Sequence, residues 1–565
     1  MIVFVLVPVV VYGTLEVNTG AESTIWGGET SKLDFFHKAK AGVLLFALPL
    51  LLVLMALSPG DLGKLRFMGF DKPVYGYYFF VMLSSIFSGY GWIVYFGVNG
   101  RYEGLFIITV YVLLFLMAYL WGEENRSTLI TMLVIGAVIV TVIGVPQYFS
   151  LDFFRSTLGR RLITPSKLGV DIDKLVFRVG DKTVYSTLYN PNYIGSYYTL
   201  LIPALVGITV TVKNHRHRIG LSLLTAASVF SLFGSRSSAG MTGLAVILLF
   251  AGILLVKRVD KKIVGGVLIG LLIAVAVFNQ GVMSLVSDYQ RSFVPQHVGE
   301  PVLEKLRVDG PMLRFEFRDE ADNFNFLLTD GGQLHILDGD YQKLDYDFDA
   351  ETGEFHVADE AYGFFDAKVS KDNIIDVNFK RSYLRLVIHS DGIRILSMNN
   401  QLVEEAVMAP SIGLEGYGHI GSGRGYIWSR TLPLLKDKLI IGSGPDSYVF
   451  EFPQEDILGR VNEFGRTYIT VDKPHNLYLQ MSMNSGMISL VLFLAAAAYV
   501  VLVGFYRIFK EQIRDPLAVG LYFGILGYLV TSFFNDSVVS IAPIFWVFFG
   551  YFMAQLHRVK GEVGK

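Results

Sequence analysis

Eleven apolar runs, each near or above the roughly 18–20 residues that cross a hydrocarbon layer as a helix, dominate this chain. They lie at 42–58, 75–97, 104–121, 128–149, 191–212, 219–234, 239–256, 263–283, 477–506, 517–534 and 537–557. A bilayer offers no water to backbone N–H and C=O groups, so such runs fold as helices that close their own hydrogen bonds. Met1–Gly13 is apolar, too short to span, and lacks the cationic start of a signal peptide; it reads as the end of a first helix, clipped by a late start codon. The expectation is a mainly α, polytopic membrane protein of about twelve transmembrane helices. Composition agrees, with 52% hydrophobic and only 17% charged residues and a mean hydropathy of +0.47.

Orientation follows from cations in the short connections. Lys213, Arg216 and Arg218, then Lys257, Arg258, Lys261 and Lys262, then Arg507, Lys510 and Arg514 recur at every second connection, as does the tail with Arg558 and Lys560. These connections and both termini are expected in the cytoplasm of a bacterium, with the protein in its plasma membrane. The loops at 14–41, 150–190 and 284–474 then face outward. The chain has no cysteine, so outward segments must fold by core burial alone. The net charge of −2 identifies no partner, and no nucleic-acid motif is present.

Residues 284–474 are too many for a structureless loop. Within them, about 302–408 reads as a separate β domain, a sandwich or jelly roll. Arg314–Arg318, Phe324–Leu328, Gln333–Leu337 and Tyr383–Ile388 alternate with period two, and Asp330-Gly331-Gly332, Asp338-Gly339 and Asp391-Gly392 punctuate them as turns. The acidic ladder Asp345, Asp347, Asp349 and Glu351 invites a calcium reading, but Ala350 and His356 stand where such a loop needs Gly and Glu. A solvated strand face is the better account, and no metal site is expected. The remaining organisation is an N-terminal helical part at 1–283, a membrane-proximal catalytic segment at about 413–474, C-terminal transmembrane helices at 475–557 and a tail at 558–565.

None of the apolar runs carries an ionisable residue near its middle, where pumps and coupled transporters need them. Ionisable residues gather instead at the expected outer ends of helices. Arg101-Tyr102-Glu103-Gly104, Ser235-Arg236-Ser237-Ser238-Ala239-Gly240, Gly423-Arg424-Gly425-Tyr426-Ile427-Trp428 with Ser429-Arg430, and Lys473-Pro474-His475-Asn476 all lie there, as does Asn190-Pro191-Asn192-Tyr193-Ile194-Gly195. Singly, each has a plain structural account: a snorkelling Arg, a helix cap, an interfacial aromatic or a structural His. Together on one face they fit one chemistry. Guanidinium forks hold a diphosphate, and an imidazole accepts a proton from a hydroxyl at neutral pH.

These stretches resemble the O-antigen ligase and polymerase (Wzy/WaaL-type) superfamily of bacterial membrane glycosyltransferases. His475-Asn476, nine residues, then Gly486-Met487-Ile488-Ser489 is similar to its signature, with Ser489 departing at the last position. Ser235–Gly240 is like its Ser-Arg-x-Ala turn with one extra serine. Arg424–Trp428 is like its Arg-x-x-x-Trp element, and Gly442-Ser443-Gly444 like its Gly-x-Gly turn.

The resemblance implies a GT-C-like fold and transfer of a glycan from undecaprenyl diphosphate to an acceptor hydroxyl, with inversion and without metal or cofactor. The acceptor would be a growing surface polysaccharide, a lipid or a protein. It assigns His475 to the acceptor, Arg236 and Arg424 to the leaving diphosphate, and Asn476 to the support of His475. Arg101, Asn190, Arg430 and Trp428 are further candidates for substrate contact. A lipid-linked glycan flippase and a membrane-anchored glycan-binding sensor or scaffold are the competing readings.

Overall fold

The computed structural model describes residues 2–58, 72–255, 300–563 and a few between 283 and 295, apart from 19, 27–28, 178, 371–372, 380–381, 390–391, 397–400, 415 and 466–469. The first part holds a small antiparallel hairpin, β1 (Thr14–Val17) with β2 (Ser31–Asp34). The helices α1 (Lys38–Ala56), α2 (Lys72–Ile86), α3 (Leu105–Trp121), α4 (Arg126–Tyr148), α5 (Pro191–Thr211), α6 (His215–Gly234) and α7 (Ser238–Leu255) follow. Beyond the β-rich region come α8 (Ile420–Thr431), α9 (Ile457–Phe464), α10 (Leu477–Ser485), α11 (Met487–Phe509), α12 (Pro516–Thr531) and α13 (Ala542–Val563).

Among the described residues, α1, α4, α5 and α11 are long and apolar enough to cross a membrane, and α3, α7 and α12 are shorter apolar helices. The count of about twelve spans is therefore not reproduced by length and hydropathy. Phe46, Val142 and Leu249 stand exposed on helix exteriors, an arrangement suited to lipid rather than water. α12 lies so close along α5 that a Cβ on Gly524 would meet the Leu200 carbonyl oxygen at 2.3 Å. Small residues permit such approach where apolar surroundings give helices no hydrophobic drive to associate.

Two expected continuous runs are broken, and 263–283 falls almost wholly outside the described residues. The run 75–97 stops as a helix at Ile86, and a short turn at Ile93–Phe96 follows a left-handed Gly91 (φ +58°). The run 477–506 is two helices, α10 and α11, meeting at Gly486 with φ +92° and ψ 160°. The Asn484-Ser485-Gly486 stop signal outweighs the apolar residues around it. Carbonyls left open at the end of α10 are taken up by a distant loop: Ser443 N donates to Met483 O and Gly444 N to Asn484 O, each at 2.9 Å. A Cβ at Gly486 would lie 2.4 Å from the Ile440 carbonyl oxygen. Gly486→Ala is therefore expected to cost about 1–3 kcal/mol, read as a lowered thermal midpoint of the purified full-length protein. An unchanged midpoint would contradict this account of the break.

The β-rich region packs two antiparallel sheets over one core. Its strands are β3 (Leu303–Asp309), β4 (Met312–Phe317), β5 (Phe324–Leu328), β6 (Leu334–Asp338), β7 (Tyr346–Asp349), β8 (Glu354–Val357), β9 (Phe365–Val369), β10 (Ile374–Phe379), β11 (Ser382–His389), β12 (Gly392–Leu396), β13 (Leu402–Val403) and β14 (Glu405–Val407). The orders are β14-β3-β4-β5-β6 and β13-β12-β11-β10-β9-β8-β7. Alternation puts Leu313, Phe315 and Phe317 inward from β4. Phe324 of one sheet stacks on Phe365 of the other with centroids 3.9 Å apart; burying such a ring is worth about 1.5–3 kcal/mol. Asp345, Asp347 and Asp349 are exposed at β7, the edge strand.

α9 ties this sandwich to the helical part. Ile457, Leu458 and Val461 enter the sandwich core. At the other end of α9, Phe464 packs edge-on against Tyr426 of α8 at 5.0 Å. The buried Asp456 caps α9 through Gly459 N (3.0 Å) and accepts from Tyr426 Oη (2.8 Å) and Arg430 Nε (3.1 Å).

Candidate functional site

The candidate site forms around the connection between α12 and α13, residues 532–541. Leu477 N donates to Ser532 O (2.9 Å) and Asn535 O (3.0 Å), which fixes the start of α10 against this loop. Asn535 Nδ2 donates to Ser196 Oγ of α5 (2.9 Å) and to Asn192 O (3.3 Å). Ser537 N donates to Gln480 Oε1 (3.1 Å), and its Oγ donates to Glu103 Oε1 (2.7 Å). The loop thus gathers α5, α10 and the start of α3 at one end of the bundle.

His475 stands beside it, with Nδ1 3.2 Å from Asp536 Oδ2. Its backbone is left-handed (φ +50°), a conformation non-glycine residues keep only where surroundings enforce it. Those surroundings are visible: Trp428 Nε1 donates to Pro474 O at 2.8 Å, and Asn476 Oδ1 accepts from Tyr478 N (2.9 Å) and Leu479 N (3.0 Å) as the cap of α10. Asn476 and Trp428 hold the backbone on either side of the imidazole. His475 is 35% exposed and lines a cavity of about 450 Å³ with His419, Ser422, Phe464, Asp472 and Lys473.

Arg424 reaches the same loop, its Nε donating to Phe534 O at 2.9 Å while Nη1 meets Gly421 O. Three left-handed residues, Gly421, Ser422 and Gly423, precede it, so Arg424 opens the right-handed turns of α8. Arg236 lies in the turn between α6 and α7 with φ +57°. It is exposed, and its guanidinium has no partner among the described residues. Its neighbour Ser237 donates to Asn192 Oδ1 at 3.2 Å, and the backbone of Asn192 is held by Asn535. One chain of contacts therefore joins the Arg236 turn, the start of α5, the 532–537 loop, His475 and Arg424.

Three other expected contact residues are occupied within the protein. Arg430 is buried, donates from Nε to Asp456 Oδ2 (3.1 Å) and lies over the Tyr426 ring. Arg101 is also buried, with Nε 3.0 Å from Asp446 Oδ1. Asn190 caps α5, its Oδ1 accepting from Asn192 N at 2.8 Å. These three side chains build the frame around the site.

Charge in the site is concentrated and unequal. Burial would raise the Asp536 carboxyl, yet His475, Lys473 and Arg101 beside it hold it well below the ordinary carboxylate range. Burial pushes Glu103 up to about 7, against the pull of Arg101 and with the help of Asp446. Burial also lowers Arg424, opposed by Asp536.

Asp536 is the residue that reading the sequence missed. It was visible as a carboxylate in the short polar run Asn535-Asp536-Ser537 between two apolar segments. Nothing in the sequence tied it to His475.

Helices long and apolar enough to cross a membrane, beside a cavity that His475 and Lys473 line, define the class as a helical membrane protein. Residues 383–494, a part of the chain well short of half, are similar to the O-antigen ligase (Wzy_C) family. The matched stretch includes Arg424, Trp428, Arg430, His475 and Asn476 and leaves out Arg101, Asn190, Arg236 and Asp536. No curated protein and no solved structure matches the chain.

Proposed function

We propose that this protein transfers a glycan from undecaprenyl diphosphate to an acceptor hydroxyl at the outer face of the cytoplasmic membrane. The observation that carries the reading is the meeting of His475, Asp536 and Arg424 at one loop, with the Arg236 turn joined to it through Asn192. The Asp536 carboxylate, 3.2 Å from Nδ1, favours the proton on that nitrogen, which leaves the His475 Nε2 lone pair for the acceptor proton. The hydroxyl oxygen forms a bond to the anomeric carbon as the bond from that carbon to the diphosphate breaks. The proton goes to Nε2, and the electron pair leaves with the diphosphate, whose charge the guanidinium groups of Arg236 and Arg424 stabilise. Attack opposite the leaving group inverts the anomeric centre. Acceptors that carry the same hydroxyl chemistry include a growing polysaccharide, a lipid and a protein.

The test is transfer by the full-length protein reconstituted with undecaprenyl-diphosphate-linked glycan. Polymer formed without added acceptor assigns a polymerase; capture of one glycan by an added lipid or protein assigns a ligase; neither product refutes the proposal. Arg236→Lys is expected to lower kcat by about 10-fold or more, because a lysine keeps the charge but loses the paired donors. Equal rates for the variant and the parent protein would remove Arg236 from the leaving-group site.

A further inference from the structure

A second imidazole–carboxylate pair lies one tyrosine away from the cavity wall. His37 Nδ1 is 3.1 Å from Asp34 Oδ1, and Asp34 Oδ2 also accepts from His37 N (2.9 Å) and Lys38 N (2.8 Å). Asp34 is buried, so the ring is anchored through both its side chain and its backbone. Tyr189 and Tyr193 meet this ring edge-on, with centroids at 5.6 and 6.4 Å. Tyr193 Oη in turn accepts from Lys473 Nζ at 2.9 Å, and Lys473 lines the cavity with His475.

Tyr189 is 48% exposed and left-handed, with φ +72°. A bulky residue in that conformation is held there by its surroundings; here Phe36 packs against its ring at 5.3 Å. The result is an aromatic face open to solvent beside a fixed imidazole. Nδ1 faces a carboxylate, which accepts only, so Nδ1 carries the proton and Nε2 is a bare acceptor. Nε2 has no partner among the described residues. A bare lone pair repels a phosphate oxygen and welcomes a hydroxyl. Burial reinforces this by lowering His37 below its ordinary value, which keeps the ring neutral near pH 7.

We propose that His37 and Tyr189 form a sugar subsite, in which His37 Nε2 accepts a hydrogen bond from a ring hydroxyl and Tyr189 offers its face to the pyranose. The subsite rests on the transferase reading for its place beside the cavity, but it binds a sugar whether or not transfer follows. That sugar belongs either to the lipid-linked donor or to the glycan acceptor.

The experiment measures direct binding to the full-length protein in nanodiscs. The probes are radiolabelled undecaprenyl-diphosphate-linked glycan extracted from cells deleted for this chain, and the lipid-free glycan released from it. His37→Leu and Tyr189→Ala are each expected to weaken binding of at least one probe about 3–10-fold, the value of one neutral hydrogen bond or ring contact. His37→Gln, whose amide oxygen can still accept, is expected to restore most of it. Loss for the lipid-linked probe alone assigns the sugar to the donor, and loss for both assigns it to a part of the glycan present in each. Unchanged Kd values in His37→Leu for both probes overturn the subsite and leave His37 as a helix cap, as does a wild-type protein that binds neither. Transfer by the parent protein separates the two ideas: its absence sinks the transferase reading while His37-dependent binding stands on its own, and retained transfer in His475→Ala removes only His475 from the chemistry.

Discussion

His475→Ala is expected to lower glycan transfer by about 10²–10⁴-fold in kcat, while binding of the lipid-linked donor changes little. The split is expected because, on the proposed mechanism, the imidazole would act on the acceptor proton while guanidinium groups elsewhere would hold the donor diphosphate. His475 side-chain removal should also leave the fold intact. Pro474 O is held by Trp428 and the start of α10 is capped by Asn476, and both contacts use atoms other than the His475 ring. The checks are single-turnover transfer, donor Kd and the thermal midpoint measured on one preparation. Substantial residual transfer with an unchanged midpoint would take His475 out of the chemistry altogether.

Asp536→Asn is expected to be nearly as damaging, by about 10²–10⁴-fold, although it is almost isosteric. A carboxylate accepts from Nδ1–H and leaves Nε2 free. An amide can instead donate to Nδ1, which places the proton on Nε2, where it blocks uptake of another. The substitution also removes a buried negative charge that faces Lys473 and Arg101, so a lower thermal midpoint should accompany the lost activity. The pH dependence has a defined sign. Folding depresses the Asp536 pKa, so its stabilisation is complete above the unfolded value of 3.8 and is lost only as pH falls through the lower folded value. Acid unfolding of Asp536→Asn, followed by tryptophan fluorescence, should therefore lack a component that the parent protein shows below that pH. Full activity in Asp536→Asn would show that the contact with His475 is merely electrostatic support.

The partners of the remaining cations are not legible along the chain. Arg101, Arg424 and Arg430 look alike along the chain, each a guanidinium next to a glycine or a small hydroxyl residue. Folded, Arg430 is locked to Asp456 and Arg101 to Asp446. Arg424 instead binds backbone carbonyls next to His475, and Arg236 keeps its fork open to solvent. A buried charge needs a partner, and the partner is set by which loops meet.

The linkage through α9 belongs to the same class of fact. Alternating strands in the β-rich region were legible because period-two burial is written into neighbouring residues. That Ile457 and Val461 would enter its core while Phe464 lines the cavity with His475 depended on how the two parts dock.

By itself, then, the sequence determined a helical membrane protein, an inserted sheet-rich region and a conspicuous His475 stretch, since hydropathy, alternation and short motifs are local properties of the chain. Only the tertiary structure decided that Asp536 stands behind His475, that the apolar run through Gly486 is broken, and which arginines are neutralised. Those outcomes depend on contacts between residues far apart in sequence, and burial makes such contacts strong because it removes the water that would otherwise screen them.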